Sequence, residues 1–318
     1  MVYRGINLSN QVRIFMPLIQ RQLLRGYLAL AAAAAIWGGM YVVSKATLAY
    51  IPPFTLLWLR YCTGLAVLWT LVCRQGLRQP FALDRKVFLM IGLVGYVMSV
   101  GLQFVGTRLS SAHMGAILTA ASPAFIVLFA RFMLGEAFTL RKLISVFVAS
   151  CGVVVVVGLG SDNGAGDGAL TGNIALIGAA VTWALLSVLA KKASATYSPL
   201  VITTYAIFWA TLCTTPIMVI EWQFLPVSGL DRPLIWLAIL YLGIVSTAGA
   251  FYLWNKGMQL VEAGTGSMFF FLQPVVGAVL GWLVLHEHMG SSFFIGGAMI
   301  LVAVLIASIP ASPLPASD

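Results

Sequence analysis

Long apolar stretches, separated by short polar segments, follow one another along almost the whole chain. Each stretch holds about 20 residues, enough for a helix rising 1.5 Å per residue to cross a hydrocarbon core of about 30 Å. This pattern predicts an all-α membrane protein with ten transmembrane helices. The predicted spans are 26–48, 53–73, 86–106, 110–134, 138–159, 171–193, 199–221, 233–255, 263–285 and 290–310.

The polar positions are too few for a protein that folds in water. Of the 318 residues, 61% are hydrophobic and only 8% are charged, whereas a soluble domain carries about a quarter charged residues. We therefore expect the lipid bilayer to be the solvent. The net charge of +9 does not indicate nucleic-acid binding, because the basic residues form no dense patch or groove-reading motif.

The lysines and arginines also predict the orientation. Most of the 18 basic residues fall in segments that lie on one side of the membrane when the spans are threaded alternately. Such segments are cytoplasmic under the positive-inside rule. The sequence therefore predicts a multi-pass protein of the inner (plasma) membrane, with its N- and C-termini in the cytoplasm.

A glycine-rich stretch, GSDNGAGDGALTG, divides the apolar sequence into two nearly equal parts. Its composition is typical of a flexible linker. The predicted organisation is a cytoplasmic tail (1–25), a first five-helix repeat (26–160), an extracytoplasmic linker (161–170), a second five-helix repeat (171–310) and a cytoplasmic C-terminal tail (311–318).

Matching residues indicate that the second part duplicates the first. A shift of 146 residues places Trp37 over Trp183, and a shift of 151 places Pro123 over Pro274, with further matches in order. Ordered matches at special residue types are typical of an internal repeat. Because five is an odd number of spans, the second repeat must be inverted in the membrane. Inverted repeats place a central cavity where the halves meet and favour alternating access.

Three segments carry a resemblance to a known family, namely IWGGMYVVSK, SSAHMGAILTAASPAFIVLFARFMLGEAFT and YLWNKGMQLVEAGTGSMFFFLQPVVGAVLGWLVLHE. Together with the repeat, they resemble the EamA-type members of the drug/metabolite transporter superfamily. The resemblance covers about residues 26–308. It implies ten helices, cytoplasmic termini, and transport, often export, of amino acids, their derivatives or other small solutes.

Four residues at mid-depth are candidates for the lining of the central cavity. Trp37 and Trp183 are repeat partners, and so are Tyr96 and Thr247. Tryptophans that only anchor a protein prefer the membrane interfaces, so a pair at mid-depth favours an internal aromatic box. Such a box binds apolar or cationic solutes through ring contacts and cation–π attraction. Plain packing between helices is the alternative interpretation.

Two prolines lie near the middle of their spans, each after a polar residue: Ser122-Pro123 and Gln273-Pro274. A proline inside a helix removes a backbone donor and frees the carbonyl four residues earlier. In a membrane such a carbonyl should face protein or a water-lined cavity. We predict that both helices kink into the cavity and that Ser122 and Gln273 contact the substrate. A structural bend in helix packing is the alternative.

Two basic residues lie within or at the end of a predicted span. Arg60 is about two turns into the second span, and Lys45 ends the first. A charge inside a membrane is most often functional, and either residue could meet a substrate carboxylate. Both are also close enough to the outer surface for their side chains to reach water.

Glu136 and Glu287 fall in the turns before the fifth and tenth spans. A carboxylate there would complement the positive end of the helix that follows. Gating or ion coupling is the other interpretation of these two acids.

The sequence therefore predicts a secondary-type transporter that moves a small-molecule substrate and exports it. A multidrug or organic-cation efflux carrier is the alternative, ahead of a channel or a membrane-embedded enzyme. We predict no enzyme activity, because the chain lacks GxSxG, HExxH or a buried aspartate pair. No metal or cofactor site is predicted, since no cysteine or histidine cluster has ligand spacing. The substrate and the choice between monomer and homodimer stay open.

Overall fold

The computed structural model of the chain describes residues 8–77, 84–110, 115, 118–157, 169–285 and 291–309. Within these ranges all regular structure is helical, and no strand occurs. The helices are α1 (Leu8–Leu48), α2 (Pro53–Arg74), α3 (Arg85–Leu109), α4 (Ser122–Leu134), α5 (Leu140–Val157), α6 (Ala169–Ala193), α7 (Pro199–Phe224), α8 (Pro233–Leu260), α9 (Ala263–Ser267, Met268–Phe271 and Leu272–Leu285, end to end) and α10 (Ser291–Ser308).

Six of these helices are long and apolar enough to cross a membrane: α1, α2, α3, α6, α7 and α8. Large apolar side chains also cover the outside of the described bundle, where Phe132 is 79% exposed and Phe147 is 70% exposed. A protein in water rarely leaves so much apolar surface uncovered. The described chain is therefore a membrane protein with several apolar helices.

The boundaries depart from the sequence prediction mainly at the first helix. Helix α1 begins at Leu8 and so runs through much of the segment 1–25 that the sequence assigned to a tail. The predicted linker 161–170 and C-terminal tail 311–318 fall almost wholly outside the described residues, which include only Ala169 and Leu170 among them.

Two helices contain a π-helical stretch at matching places. Residues Ile91–Ser99 of α3 and Tyr241–Gly249 of α8 are π-helical. In a π-helix each turn holds an extra residue, which rotates the following side chains relative to an α-helix. Helix α9 has a further irregularity, the 3₁₀ turn Met268–Phe271. These three stretches all lie beside the central cavity described below.

The packing of the helices repeats when each helix is replaced by the one five places further along. Helix α1 packs against α8 and α9, and α6 packs against α3 and α4. Helix α2 packs against the π stretch of α8, and α7 packs against that of α3. Two further pairs, α2 with α7 and α5 with α10, join corresponding helices directly.

Close glycine contacts repeat in the same way. A Cβ atom on Gly257 would lie 2.9 Å from the Gly26 carbonyl oxygen, and one on Gly106 would lie 2.8 Å from the Gly172 carbonyl oxygen. These distances leave no room for a side chain. The contacts join α1 with α8 in one case and α6 with α3 in the other. Small residues thus let each helix pair approach closely, as is common between membrane helices.

Two lysines hold the ends of α3 and α8. The Lys45 Nζ group donates to the Thr107 carbonyl oxygen at 2.8 Å, and the Lys191 Nζ group donates to the Met258 carbonyl oxygen at 2.8 Å. A cation there satisfies carbonyls that have no partner within the helix and complements its negative end. Each lysine also donates to a carbonyl three residues further on, at Ser110 and Val261.

These contacts give the relative direction of α1 and α6. The C-terminal end of α3 contacts two helices. It contacts the C-terminal end of α1 at Lys45 and the N-terminal end of α6 at Gly172. At the other end of the bundle, Gly26 of α1 and Lys191 of α6 both meet the C-terminal end of α8. The two helices that carry Trp37 and Trp183 therefore run in opposite directions.

The interpretation of Glu136 as a cap for the next helix is wrong. Its carboxylate accepts hydrogen bonds from the backbone N–H groups of Ala263 (2.6 Å) and Gly264 (3.0 Å), which begin α9. The carboxylate does complement a helix N-terminus, but the helix belongs to the other half of the chain. Local spacing could not predict this contact, because it depends on the tertiary arrangement. Glu287 lies outside the described residues.

Lys142 links this capping site to a second carboxylate. Its Nζ group lies 3.6 Å from the Glu136 carboxylate and 2.9 Å from that of Glu262. Lys142 is buried, and these two carboxylates balance its charge. The α4–α5 turn is thereby tied to the α8–α9 turn at one end of the bundle.

Candidate functional site

Five aromatic side chains meet between the two halves of the bundle. The Trp37 and Trp183 rings form an edge-to-face pair with centroids 5.0 Å apart. Phe251 contacts both, at 5.3 Å from Trp37 and 5.8 Å from Trp183, and Trp254 and Phe270 complete the group. We call these five residues the aromatic cluster. Such contacts stabilise a fixed ring arrangement.

Four members of the aromatic cluster, all except Trp254, line a small cavity. Its lining is mostly apolar with a few polar groups, as is common in small-molecule sites. Helices of both halves contribute. The residues that line the cavity are Trp37, Met40, Arg60, Ser99, Val100, Gln103, Thr119, Ser122, Ala179, Trp183, Phe251, Phe270 and Gln273.

The two tryptophans differ in their hydrogen bonds. The Trp37 Nε1–H group donates to the Ser246 carbonyl oxygen at 3.0 Å. The Trp183 Nε1–H group is buried and has no acceptor among the described residues. A buried donor without a partner is uncommon and calls for an explanation.

Arg60 reaches the cavity from α2 and is fully buried, with 0% of its surface exposed. Its Nε–H donates to Thr247 Oγ1 at 2.8 Å and its Nη2–H group to Ser246 Oγ at 3.3 Å, both on α8. A third N–H points to the Met40 sulfur at 3.6 Å. The guanidinium also lies over the Phe104 ring, 5.4 Å from its centroid. The side chain therefore does not extend to the membrane surface.

The two polar residues that precede the prolines line the cavity from opposite halves. Ser122 Oγ–H donates to the Thr119 carbonyl oxygen at 2.7 Å. This is the carbonyl that Pro123 leaves without an N–H partner. The Gln273 side chain is buried, and its Nε2 group has no acceptor among the described residues.

The two prolines lie near the start of regular α-helix. Pro123 is the second residue of α4 and follows a turn at Ala120 and Ala121. Pro274 is the third residue of the α-helical part of α9 and follows the 3₁₀ turn. In both places the irregular backbone lies beside the cavity, where exposed carbonyls can find polar partners.

Tyr96 and Thr247 lie immediately behind the cavity wall. The Tyr96 ring packs edge-on against Phe251 with a centroid distance of 4.6 Å, and its carbonyl oxygen accepts a hydrogen bond from Tyr61 Oη–H at 2.6 Å. Thr247 accepts from Arg60 and donates to the Leu242 carbonyl oxygen at 2.7 Å. Both residues support groups that line the cavity.

Lys45 is the one residue from the predicted set that lies away from this region. Its Nζ group is engaged by the end of α3, and it does not line the cavity. Apart from the two prolines described above, the predicted set falls into three groups. Trp37, Arg60, Ser122, Trp183 and Gln273 line the cavity, Tyr96 and Thr247 back it, and Lys45 caps a helix. Their contact with a substrate stays a prediction.

The sequence analysis missed several residues of the site, above all Phe251, Phe270 and Ser246. Phe251 lies four residues after Thr247, so helical spacing from that predicted residue could have found it. Ser246 precedes Thr247 within the π stretch, where two neighbouring side chains both face Arg60. Phe270 lies in a 3₁₀ turn. No periodicity of a regular α-helix predicts the direction of either side chain.

Comparison with known proteins agrees with this architecture. The chain is 30% identical to the "Uncharacterized transporter YetK" of Bacillus subtilis over 294 residues, 91% of this chain and 88% of that protein. It is 26% identical to an "Uncharacterized transporter" of Archaeoglobus fulgidus, covering 88% of this chain and 96% of the other. A solved crystal structure has the same fold, with a TM-score of 0.74 and 22% identity over 89% of this chain and 96% of that one.

The sequence model of the EamA-like transporter family matches the chain twice, over residues 24–158 and 170–309. These two matches together cover nearly all the helices that form the cavity and its supports. The chain belongs to the EamA-like transporter family.

Proposed function

We propose that this protein is a secondary-type carrier that moves small metabolites, such as amino acids or their derivatives, by alternating access. One observation carries the proposal. The cavity lies between the two halves, and matched residues from both of them, Trp37 with Trp183 and Ser122 with Gln273, line it. A solute bound there contacts both halves at once, so a rearrangement of one half against the other changes its access.

The proposed architecture is a bundle of ten transmembrane helices built as two inverted five-helix repeats. Three observations support it. The family matches the chain twice, the helix packing repeats with a shift of five helices, and α1 and α6 run in opposite directions. Inverted repeats can exchange their conformations, which opens one central site first to one side of the membrane and then to the other.

The proposed location is the inner membrane, with both termini in the cytoplasm and export as the direction of transport. The asymmetric distribution of basic residues supports the orientation of the termini, and export is what the resemblance to the family implies. In this orientation the link between Lys142, Glu136 and Glu262 lies at the cytoplasmic end of the bundle, and the Lys45 cap lies at the outer end. The cytoplasmic side of the site is thus held by charged groups from both halves.

Solute flux in proteoliposomes tests the proposal. Purified protein is reconstituted, and uptake is measured for a panel of amino acids, organic acids, amines and sugars, with counterflow to separate a carrier from a channel. We expect saturable, counterflow-capable transport of at least one solute. The carrier function is refuted if no solute moves faster than in empty vesicles, or if flux rises without saturation.

Variants of the aromatic cluster connect transport to the cavity. Trp37→Ala and Trp183→Ala each remove a large part of one wall, and we expect flux to fall at least about tenfold, since lost aromatic contacts at a buried site cost more than 1 kcal/mol. Trp222→Ala is the matched control, because Trp222 is 52% exposed on α7 and lies outside the cavity. Equal flux in all three variants would place the transport path elsewhere.

A carrier of organic cations is the second candidate, and the aromatic cluster favours it. Tryptophan faces attract cations, and three tryptophans meet in the cluster. Arg60 in the same cavity opposes this candidate, because a bound cation would be repelled by the guanidinium in surroundings of low dielectric constant.

A further inference from the structure

The buried cations of this protein differ in what neutralises them. Lys142 has the carboxylates of Glu136 and Glu262 beside it, whereas the partners that the structure gives Arg60 are two hydroxyl oxygens, a sulfur atom and aromatic rings. No carboxylate among the described residues pairs with it. An isolated charge away from water is costly unless an opposite charge accompanies it.

The acids of the described chain are committed elsewhere. Glu221 accepts hydrogen bonds from the backbone at the start of α2, at Phe54 and Thr55. Asp84 accepts from Tyr197 in an exposed position, and Asp231 lies in the exposed turn before α8. A negative charge for Arg60 must therefore come from outside this set of side chains.

Two further donors line the same cavity without an acceptor among the described residues, the Trp183 Nε1–H group and the Gln273 Nε2 group. A buried donor without a partner destabilises a protein, because its hydrogen bond to water is lost without replacement. The lining of one cavity therefore holds a guanidinium without a carboxylate partner and two N–H donors without an acceptor among the described residues. Aromatic rings line the same cavity.

We propose that the cavity selects organic monocarboxylates with an apolar body, and that it prefers them to zwitterions and to cations. This inference rests on the carrier function proposed above and narrows its substrates to carboxylates without an ammonium group, such as amino-acid derivatives that have lost theirs. The carboxylate accepts hydrogen bonds from Arg60, Trp183 and Gln273, and the apolar body lies against the aromatic cluster. The single negative charge of the solute neutralises the Arg60 guanidinium. An ammonium group on the solute would have no carboxylate partner among the described residues.

Three probes with the same phenylethyl body test the charge preference: 3-phenylpropionate, phenylalanine and 2-phenylethylamine. Their affinities for the purified protein are measured by calorimetry, and their fluxes in proteoliposomes. We expect 3-phenylpropionate to bind at least about tenfold more tightly than phenylalanine, because phenylalanine keeps the carboxylate but brings an ammonium group that has no carboxylate partner among the described residues of the cavity. We expect 2-phenylethylamine to bind weakest, because it has no carboxylate for the donors.

Variants assign the preference to the named donors. Arg60→Gln should weaken 3-phenylpropionate binding by about tenfold to a hundredfold, whereas Arg60→Lys, which keeps the charge, should retain part of the affinity. Trp183→Phe removes an N–H group that no described residue uses and should weaken binding about threefold to tenfold. The Trp183→Phe variant tests the assignment even if Arg60→Gln fails to fold. Trp58→Phe is the matched control, because the Trp58 Nε1–H group donates to Thr215 outside the cavity; it should leave affinity unchanged.

The outcomes separate this inference from the carrier function. The preference for monocarboxylates is refuted if 2-phenylethylamine or phenylalanine binds as tightly as 3-phenylpropionate, or if 3-phenylpropionate does not bind. Saturable flux of another solute would still support the carrier function in that case. If Trp183→Phe and Arg60→Gln both fold and leave affinity unchanged, the assignment to these donors is refuted. Absence of saturable flux across the whole panel refutes the carrier itself.

Discussion

The lysines that cap helices occur in both halves of the chain, whereas the arginine in the cavity occurs in one half. Lys45 and Lys191 occupy matched positions and donate to matched carbonyls, at Thr107 and Met258. Arg60, in contrast, corresponds to Ala206 under the same shift of 146 residues. The lysine caps are thus duplicated, whereas Arg60 is the one charged residue among the described residues that line the cavity.

The difference has a functional reason: the helix framework needs the same contacts in both halves, but the binding site does not. A framework whose contacts are alike in both halves can adopt two related arrangements of similar energy, as alternating access requires. A binding site gains nothing from being symmetric, because a small solute with one charged end is itself asymmetric. A single arginine gives the bound solute one orientation.

The largest expected effect comes from filling the matched glycine contacts. A Cβ on Gly257 would lie 2.4 Å from Leu30, and one on Gly106 would lie 2.6 Å from Leu176. Gly257→Leu and Gly106→Leu should each prevent folding, since even moderate overpacking costs about 1–3 kcal/mol and backbone oxygens lie in the way. Size-exclusion profiles of detergent-solubilised protein measure the folded fraction.

The control for these glycine variants is Gly297→Leu in α10, where a Cβ has open space around it. It should leave the folded fraction unchanged. If only one of the two matched glycines tolerates leucine, the framework contacts are less alike than the distances indicate, and the contrast with the cavity weakens.

Much of the framework could be predicted from the sequence because its signals are local or repeated. Apolar runs give the positions of the helices, and matched residues give the pairing of the two halves. The same matching directed attention to Trp37, Trp183, Ser122 and Gln273, which the structure places around one cavity.

The rest depended on contacts that a linear pattern does not carry. Ser246 and Phe270 face the site because π and 3₁₀ turns change side-chain directions. Lys45 and Glu136 act on helix ends that are distant in sequence, at Thr107 and Ala263. Every residue except proline has a backbone N–H and every residue has a carbonyl, so residue type does not show which of them a side chain binds. The helix-end contacts of Lys45 and Glu136 could therefore not be predicted from the sequence.

A smaller effect is expected from removing the lysine caps. Lys45→Met and Lys191→Met each leave two helix-end carbonyls without their charged donor, and each should lower the free energy of unfolding by about 1–3 kcal/mol. The two losses should be similar, since the caps are matched. Thermal unfolding in detergent measures them, with Lys192→Met, at an exposed neighbouring position, as the control.

The same variants sharpen the contrast between framework and cavity. Lys45→Met should leave the affinity for 3-phenylpropionate unchanged, because Lys45 does not line the cavity. A loss of affinity as large as that of Arg60→Gln would show that the two cations act together on the solute, and the separation drawn above would be wrong.

The smallest expected effect is a difference in stability between variants of Trp37 and Trp183. The two residues are repeat partners, but only the Trp37 N–H group has an acceptor among the described residues. Trp37→Phe and Trp183→Phe remove similar ring area, but only Trp37 loses a hydrogen bond, that to the Ser246 carbonyl oxygen. Trp37→Phe should therefore lower the free energy of unfolding by about 1 kcal/mol more than Trp183→Phe. The measurement is made without solute, since a bound carboxylate would add a partner to Trp183. Equal losses would mean that the Trp183 N–H group is already satisfied in the protein, and the cavity would then have one donor fewer to offer an anion.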